Sequence, residues 1–560
     1  MIRQTEVDGV PALVAPTGGP SRAGLVFRVG QADETLARRG ITHLLEHLVL
    51  HPLGDADYHY NGVTGTTATH FHLQGPVDAV GSFLTGVCRS LRDLDTGRID
   101  VERSIVLTEE GGRATGPLDS LPLWRHGARD HGLVSFPQWG LHGVLADDLR
   151  DWAARYFTRE NAVLWFAGET LPDGLTLDLP AGERHPVPAA SSALPTTPAC
   201  YTGDSYTTAL DAVVRHRPAA QVLAGVLERQ LFRALRQEAG LSYTAATTYD
   251  VRGDGFAVLT AFADALPGNQ DAALGGFLDV LAALRVGRVD EADVTAVVTR
   301  AIDSLTADDA DAVRLPGAAF HLLTGQPVLQ CGELVSALKA VDVDAVREAA
   351  AEALGTALLM TPRGTSAGWA GYAQAPTGTT EEAGPTQGVT YPYIGDPSRR
   401  LVVGAEKAVA AGPGALATTV RFDDCAVLLS YPDGGRLLVG ADAASVRIEP
   451  TLHRGVDVAA IDARVPIERQ VRMPARDPDQ VPVPRPAQDA PAVPVARHTA
   501  TEKLTLGVLA LVTLVSGGLA LGLTVGMALG VTSLRVLPVV GCWITAGYFG
   551  RKLREQWRER

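Results

Sequence analysis

Residues 40–52 read GITHLLEHLVLHP, an apolar run that carries His43, Glu46 and His47 within five positions. Polar groups buried among leucines cost free energy unless something satisfies them. On a helix, a separation of four puts both imidazoles on one face, and Glu46 stands on the same turn as His47. Two imidazoles so placed can share a metal ion, and the leucines between them supply the face that holds the site rigid. A catalytic zinc usually takes three protein ligands, so a third donor must come from elsewhere. VERSIVLTEE at 101–110 offers one. Read as a helix, it puts Glu102 and Glu109, seven apart, on one face and points Glu110 off it into solvent. His51, His70 and His72 have no partner at ligand spacing and read as ordinary polar positions.

The 560 residues predict two to four domains. A composition 46% hydrophobic and 20% charged is globular rather than disordered. The net charge of −14 leaves no excess of Lys and Arg to neutralise phosphates, which excludes nucleic acid as a general partner. The five cysteines, Cys88, Cys200, Cys331, Cys425 and Cys542, are scattered and form no CxxC pair. They fit a reducing compartment, with neither a disulfide framework nor a cysteine metal site. MIRQTEVDGVPALVAP, at the start of the chain, has no charged segment followed by a long apolar run, so no signal peptide is expected.

Residues 1–190 alternate short strand-like runs (Gly24–Val29, Ala162–Ala167) with helical stretches (Thr35–Leu50, Asp78–Leu91, Asp147–Tyr156), and residues 200–362 do the same. The blocks end alike: DDLRDWAARYFTRENAVLWFAG at 147–168 parallels VDVDAVREAAAEALGTALLMTP at 341–362. Each reads as an amphipathic helix, a break and an apolar strand, which predicts a duplicated α+β domain. Residues 363–398, rich in Gly, Thr, Ala and Pro, read as a linker. Residues 401–473 read as a small β-rich module, with strands over Thr418–Phe422, Ala426–Tyr431 and Arg436–Val439, a hairpin turn at PDGG 432–435 and a helical run near Val456–Val465. A pleckstrin-like barrel is one fold such a run can take.

Residues 474–503 form a Pro-rich tether. From Leu504 to Gly550 the only charge is Arg535. That span is twice the ~20 residues one membrane helix needs, so a transmembrane hairpin over 504–550 is expected, with a single tilted helix as the alternative. Gly518, Gly522, Gly526 and Gly530 recur every four residues and make one smooth face, suited to packing within the hairpin or against a second chain. The basic tail at 551–560 belongs in the cytoplasm. A hairpin returns the large N-terminal part to that side, predicting a multi-pass protein of the cell membrane with its bulk cytoplasmic.

THLLEH at 42–47 resembles the inverted zinc motif of the pitrilysin, insulinase and mitochondrial processing peptidase family, and ERSIVLTE at 102–109 resembles its downstream helix. The resemblance implies that His43, His47 and Glu109 bind one Zn2+ per chain, that Glu46 is the general base, and that Glu102 orients a ligand. LFRALRQEAGLSYTA at 231–245 resembles the family's second-domain segment, which makes Arg236 and Tyr243 the pair that meets substrate at the zinc. NGVTGTTATHF at 61–71 resembles its substrate-binding edge strand, implying peptide contacts at Asn61, Thr64, Gly65, Thr66 and Thr67. Gly62 stands where the family has alanine. His47 is only 14 positions from Asn61 and 62 from Glu109, spacings short for the family, as if a segment after the zinc helix were deleted.

The resemblance covers residues 1–362 and implies two homologous domains, each an antiparallel sheet covered by helices, together half of a clamshell. The implied function is a membrane-tethered cytoplasmic zinc metalloendopeptidase that cleaves short or unfolded peptides, in leader-peptide processing or peptide clearance. With one zinc motif and one Arg/Tyr pair in different domains, the chain would work as a homodimer or beside a related subunit. Two other functions remain open: a non-catalytic partner subunit, and a membrane scaffold whose β module does the binding.

Overall fold

The computed structural model describes residues 1–54, 60–113, 116–377, 387–412 and 417–484. The first half runs β1 (Arg3–Val7), β2 (Val10–Ala15), β3 (Ser21–Phe27), α1 (Ile41–Leu50), β4 (Tyr60–Thr64), β5 (Thr69–Gly75), α2 (Val77–Arg92), α3 (Ile99–Gly112), α4 (Ser120–His126), α5 (Ala146–Tyr156) and β6 (Ala162–Ala167). The second half runs β7 (Ala199–Thr202), β8 (Thr208–Arg215), α6 (Pro218–Leu231), β9 (Ala245–Val251), β10 (Phe256–Ala263), α7 (Gln270–Arg285), α8 (Glu291–Leu305), α9 (Ala310–Leu323), α10 (Cys331–Lys339), α11 (Val343–Gly355), β11 (Leu358–Thr361) and β12 (Ala373–Gln374).

Each half builds a six-stranded sheet, ordered β1-β2-β6-β3-β5-β4 and β12-β7-β11-β8-β10-β9. The orders superpose strand for strand from β2 and β7 onward. The sheets are mixed rather than purely antiparallel. β2 pairs with β6 in parallel, as β7 does with β11, and β6 and β11 each arrive through a helix, α5 and α11, instead of a hairpin.

The central strand β6, AVLWFA, is buried at all six positions. Ala162, Leu164 and Phe166 face the main core with Leu44, Leu45 and Leu48 of α1, while Val163, Trp165 and Ala167 face the opposite side. On that side lie Ala312, Leu315, Ala318, Ala319 and Leu323 of α9, which belongs to the second half. In return, Leu121 and Trp124 of α4, from the first half, pack on Tyr201, Ala209 and Met360 of the second sheet. Each half thus covers the outer sheet face of the other. Arg125 seals the exchange: it forms a buried ion pair with Asp211, and its Nη2 donates to the carbonyls of Asp211 at 2.7 Å and Thr356 at 3.0 Å.

The helix expected over Thr35–Leu50 starts only at Ile41. Gly40 sits at φ +100°, and residues 36–38 form a separate 3-10 turn. The stretch expected as a linker contributes strands at both ends. β12 pairs in parallel with β7, and β13 (Val389–Pro392) joins the next sheet.

Beyond it lie β14 (Arg400–Val403), β15 (Lys407–Ala411), β16 (Ala417–Arg421), β17 (Cys425–Ser430), β18 (Arg436–Gly440), β19 (Ser445–Ile448), α12 (Val458–Asp462) and β20 (Gln470–Arg472). They make two four-stranded sheets, β13-β14-β15-β16 and β19-β18-β17-β20, which share a core of Leu401, Val420, Phe422, Leu428, Leu438, Val446 and Ile461. The PDGG turn closes β17 onto β18, with Tyr431 N donating to Gly435 O at 3.0 Å and Gly434 at φ +92°. Among the described residues no helix is long and apolar enough to cross a membrane. The expected hairpin at 504–550 with its glycine face, the basic tail, and the tether beyond Pro484 lie outside those residues.

Candidate metal centre

Helix α1 buries Ile41, Thr42, Leu44, Leu45, Glu46, Leu48 and Val49, leaving His43 and His47 at the edge of its buried face. Helix α3 packs alongside and carries Glu109 to the two rings. Glu109 Oε2 lies 3.7 Å from His43 Nε2 and 3.5 Å from His47 Nε2. The three residues offer ligand atoms all within 4.8 Å of one another. Tetrahedral zinc with bonds of about 2.0–2.1 Å sets its donors roughly 3.3–3.4 Å apart, so this donor set fits the ion with small side-chain adjustments. Two imidazoles and one carboxylate also leave a fourth position for solvent or substrate.

The remaining ring nitrogens are held from behind. His47 Nδ1 lies 3.6 Å from Glu102 Oε2, and His51 Nδ1 lies 3.7 Å from Glu102 Oε1, which also meets Arg98 Nε at 3.3 Å. Glu102 is itself buried. On the other ring, His43 Nδ1 and Gln138 Oε1 are 3.1 Å apart. An amide oxygen only accepts, so Nδ1 carries the proton and Nε2 keeps its lone pair toward Glu109. Gln138 N in turn donates to Glu110 Oε1 at 2.7 Å, so Glu110 is tied to the site's surroundings rather than free in solvent.

The start of α1 is fastened by Glu34. Its carboxylate accepts from Gly40 N at 2.9 Å and Thr42 N at 3.0 Å, and from Arg39 Nη1 at 3.1 Å. A carboxylate here satisfies helix-terminal N–H groups and complements the helix dipole. Neither Gln138 nor Glu34 is visible from spacing, since each is brought in by a loop distant from or preceding the motif. His51, read from the sequence as an ordinary polar position, instead stands four positions after His47 and meets Glu102.

Glu46, one position before His47 on α1, reaches the edge strand β4 while staying close enough to His43 and Glu109 to interact with both. Its Oε2 accepts from Thr64 Oγ1 at 2.6 Å. Burial raises its carboxyl above the ordinary range, against the lowering effects of the Thr64 hydroxyl and of His43. β4 is the last strand of its sheet and pairs on one side only, with β5, in the register Asn61↔His72 and Val63↔His70. Asn61 is exposed on this edge. The turn beyond it is already engaged: the carbonyls of Gly65 and Thr66 accept from Gln31 N and Ala32 N, and that of Thr67 from Arg28 Nη1. Of the five positions expected to contact peptide, Asn61 stands on the open edge, Thr64 holds Glu46, and Gly65, Thr66 and Thr67 form the anchored turn.

Arg236 and Tyr243 come together with each other and not with the histidines. Helix α6 continues into a π-helical turn over Phe232–Glu238, and Gly240 at φ +63° ends it. The Arg236 guanidinium lies 4.9 Å from the ring centres of both Phe232 and Tyr243. Asp264 clamps the loop, accepting from Tyr243 N at 2.9 Å, Thr244 N at 2.7 Å and Ser242 Oγ at 2.7 Å. The Tyr243 residue is nevertheless 77% exposed. Among the described residues, no hydrogen bond or ion pair links this pair to the histidine cluster.

No family profile and no curated protein sequence matches the chain. Solved structures do. A protease from Helicobacter pylori has 14% identity and a TM-score of 0.55, over 65% of this chain and 99% of its own. A peptidase M16 inactive domain from Pseudomonas fluorescens has 14% identity and a TM-score of 0.52, over 67% and 99%. Pitrilysin has 16% identity and a TM-score of 0.50, over 65% of this chain and 44% of its own. At these identities the likeness is one of fold: this chain has the two-domain fold of the M16 peptidases.

Proposed function

We propose that the chain is a zinc metalloendopeptidase of short or unfolded peptides, held at the cytoplasmic face of the cell membrane by its 504–550 segment. The observation that carries this reading is the convergence of His43, His47 and Glu109 from two helices, with Glu46 buried beside an open sheet edge. Zinc held by those three side chains would supply Lewis acidity to water and to the scissile carbonyl.

A peptide adding to β4 at Asn61 would lie extended across the Glu46 carboxylate. There Glu46 takes the proton of the attacking water and later delivers it to the leaving amine. Thr64 keeps the carboxylate aimed during both transfers. Strand addition engages peptide backbone, which favours unfolded segments over folded surfaces. The exposed Arg236/Tyr243 platform serves a second copy of the chain or a related subunit, where the two side chains would bind the substrate carbonyl. The same fold occurs in an inactive domain, so turnover is the point to test. Full-length Glu46→Gln should retain its zinc and lose hydrolysis of a quenched peptide; turnover close to wild type would refute Glu46 as the base.

A further inference from the structure

The β module does not hang from the peptidase halves by a string. Val427 and Leu429 of β17, Val439 of β18 and Val471 of β20 turn away from the module's own core and bury against Leu36, Ala37, Ala128 and Leu133, with Phe136 and Trp139 at the rim. Main chain joins main chain where Ala128 N donates to Ala441 O at 2.9 Å. At Gly127 the approach is so close that an added Cβ would lie 2.2 Å from Ala441 O.

These first-half residues surround the metal centre's supports. Phe136 and Trp139 flank Gln138, whose Oε1 accepts the hydrogen bond from His43 Nδ1. The Leu133 carbonyl accepts from Arg39 Nε at 2.9 Å, and Arg39 in turn holds Glu34, the cap of α1. Gly40 leaves room for Gln138: a Cβ there would lie 2.8 Å from its Oε1.

We infer that Gln138 is a positioning residue for His43 and that the C-terminal β module, by clamping the loop that carries Gln138, is a working part of the metal centre. This rests on the metal-site reading above. Gln138 fixes the tautomer and orientation in which His43 offers Nε2, and removal of such outer partners typically lowers metal affinity by about 10–100-fold. Val427 and Leu429 face the clamp and not the module's interior, so trimming them loosens the loop while leaving the module's core intact.

The test is zinc affinity of the full-length chain, measured by competition with a chromophoric chelator. Gln138→Leu should weaken zinc binding about tenfold or more, and Gln138→Glu, which keeps an acceptor, should restore it. Val427→Ala/Leu429→Ala should weaken binding in the same direction, and adding it to Gln138→Leu should cost little more, since both act through one contact. If the double variant fails to fold, Val439→Ala makes the same comparison. Unchanged affinity in Gln138→Leu, no effect of the module variants, or effects that multiply would overturn the inference. A wild-type chain that binds no zinc, or a His43→Ala chain that binds it as well as wild type, would instead overturn the metal centre.

Discussion

At Gly62 an added methyl would lie 2.5 Å from Glu46 Cγ and 2.6 Å from its Oε1. The edge strand and the buried carboxylate therefore touch across a place where only hydrogen fits, and the glycine that departs from the family pattern has a reason in this chain. Gly62→Ala must displace Glu46, because the strand is held in register by β5. With misplacement of a catalytic group by about 1 Å costing on the order of 10²-fold, kcat should fall by roughly that factor while zinc content stays constant. Wild-type kcat in Gly62→Ala would mean that Glu46 moves aside without consequence. At this scale helical spacing put His43 and His47 on one face and Glu102 and Glu109 on another, while the choice of Glu109 as third donor and of Glu46 as base came from the family resemblance. Gln138 was not: it reaches His43 from 95 positions away, and no local period records such a contact.

Strand β5 alternates faces, and His70 and His72 share the side that carries Val26 and Trp165. Trp165 Nε1 donates to His70 Nε2 at 2.8 Å, so that nitrogen is kept unprotonated. Burial, aided by His72, pushes His70 down to about 3. In the unfolded chain a histidine titrates near 6.5, so the unfolded state binds the extra proton first. The stabilising contribution is complete above about pH 6.5 and drains as pH falls toward 3, at about 1.4 kcal/mol per unit within that window. Thermal unfolding should show Tm falling between pH 6.5 and 4, less steeply in His70→Gln, which still accepts from Trp165. Parallel slopes for the two proteins would remove His70 from the account. Elements themselves were largely readable: β6 lies where an unbroken apolar run put it, and α2 and α5 fall within a residue of their expected ends. The first turn of α1 was misread because Leu36, Ala37, Arg38 and Arg39 all favour helix, while Gly40 at φ +100° stops it.

The halves are interlocked by exchange of α4 and α9, and among the described residues no hydrogen bond or ion pair links the histidine cluster to the Arg236/Tyr243 pair. A two-fold dimer would give each histidine cluster the platform of the other copy. Coexpressed in equal amounts, full-length Glu46→Gln and Arg236→Ala/Tyr243→Phe chains should recover about a quarter of wild-type turnover, because half the random dimers are mixed and each has one intact site. A mixture no more active than either chain alone would exclude shared sites. Read along the chain, the pairing of His43 with His47 and of Glu102 with Glu109 and the repeat of helix, break and strand were already present, because periods of two and 3.6 are local properties. The roles of Glu46 and Glu109 came from the family resemblance. What arose in three dimensions was contact between distant segments: the exchange of covering helices, Gln138 behind His43, and the β module pressed against that loop. Those contacts depend on complementary shape and on pairing buried polar groups, which no spacing along a single segment encodes.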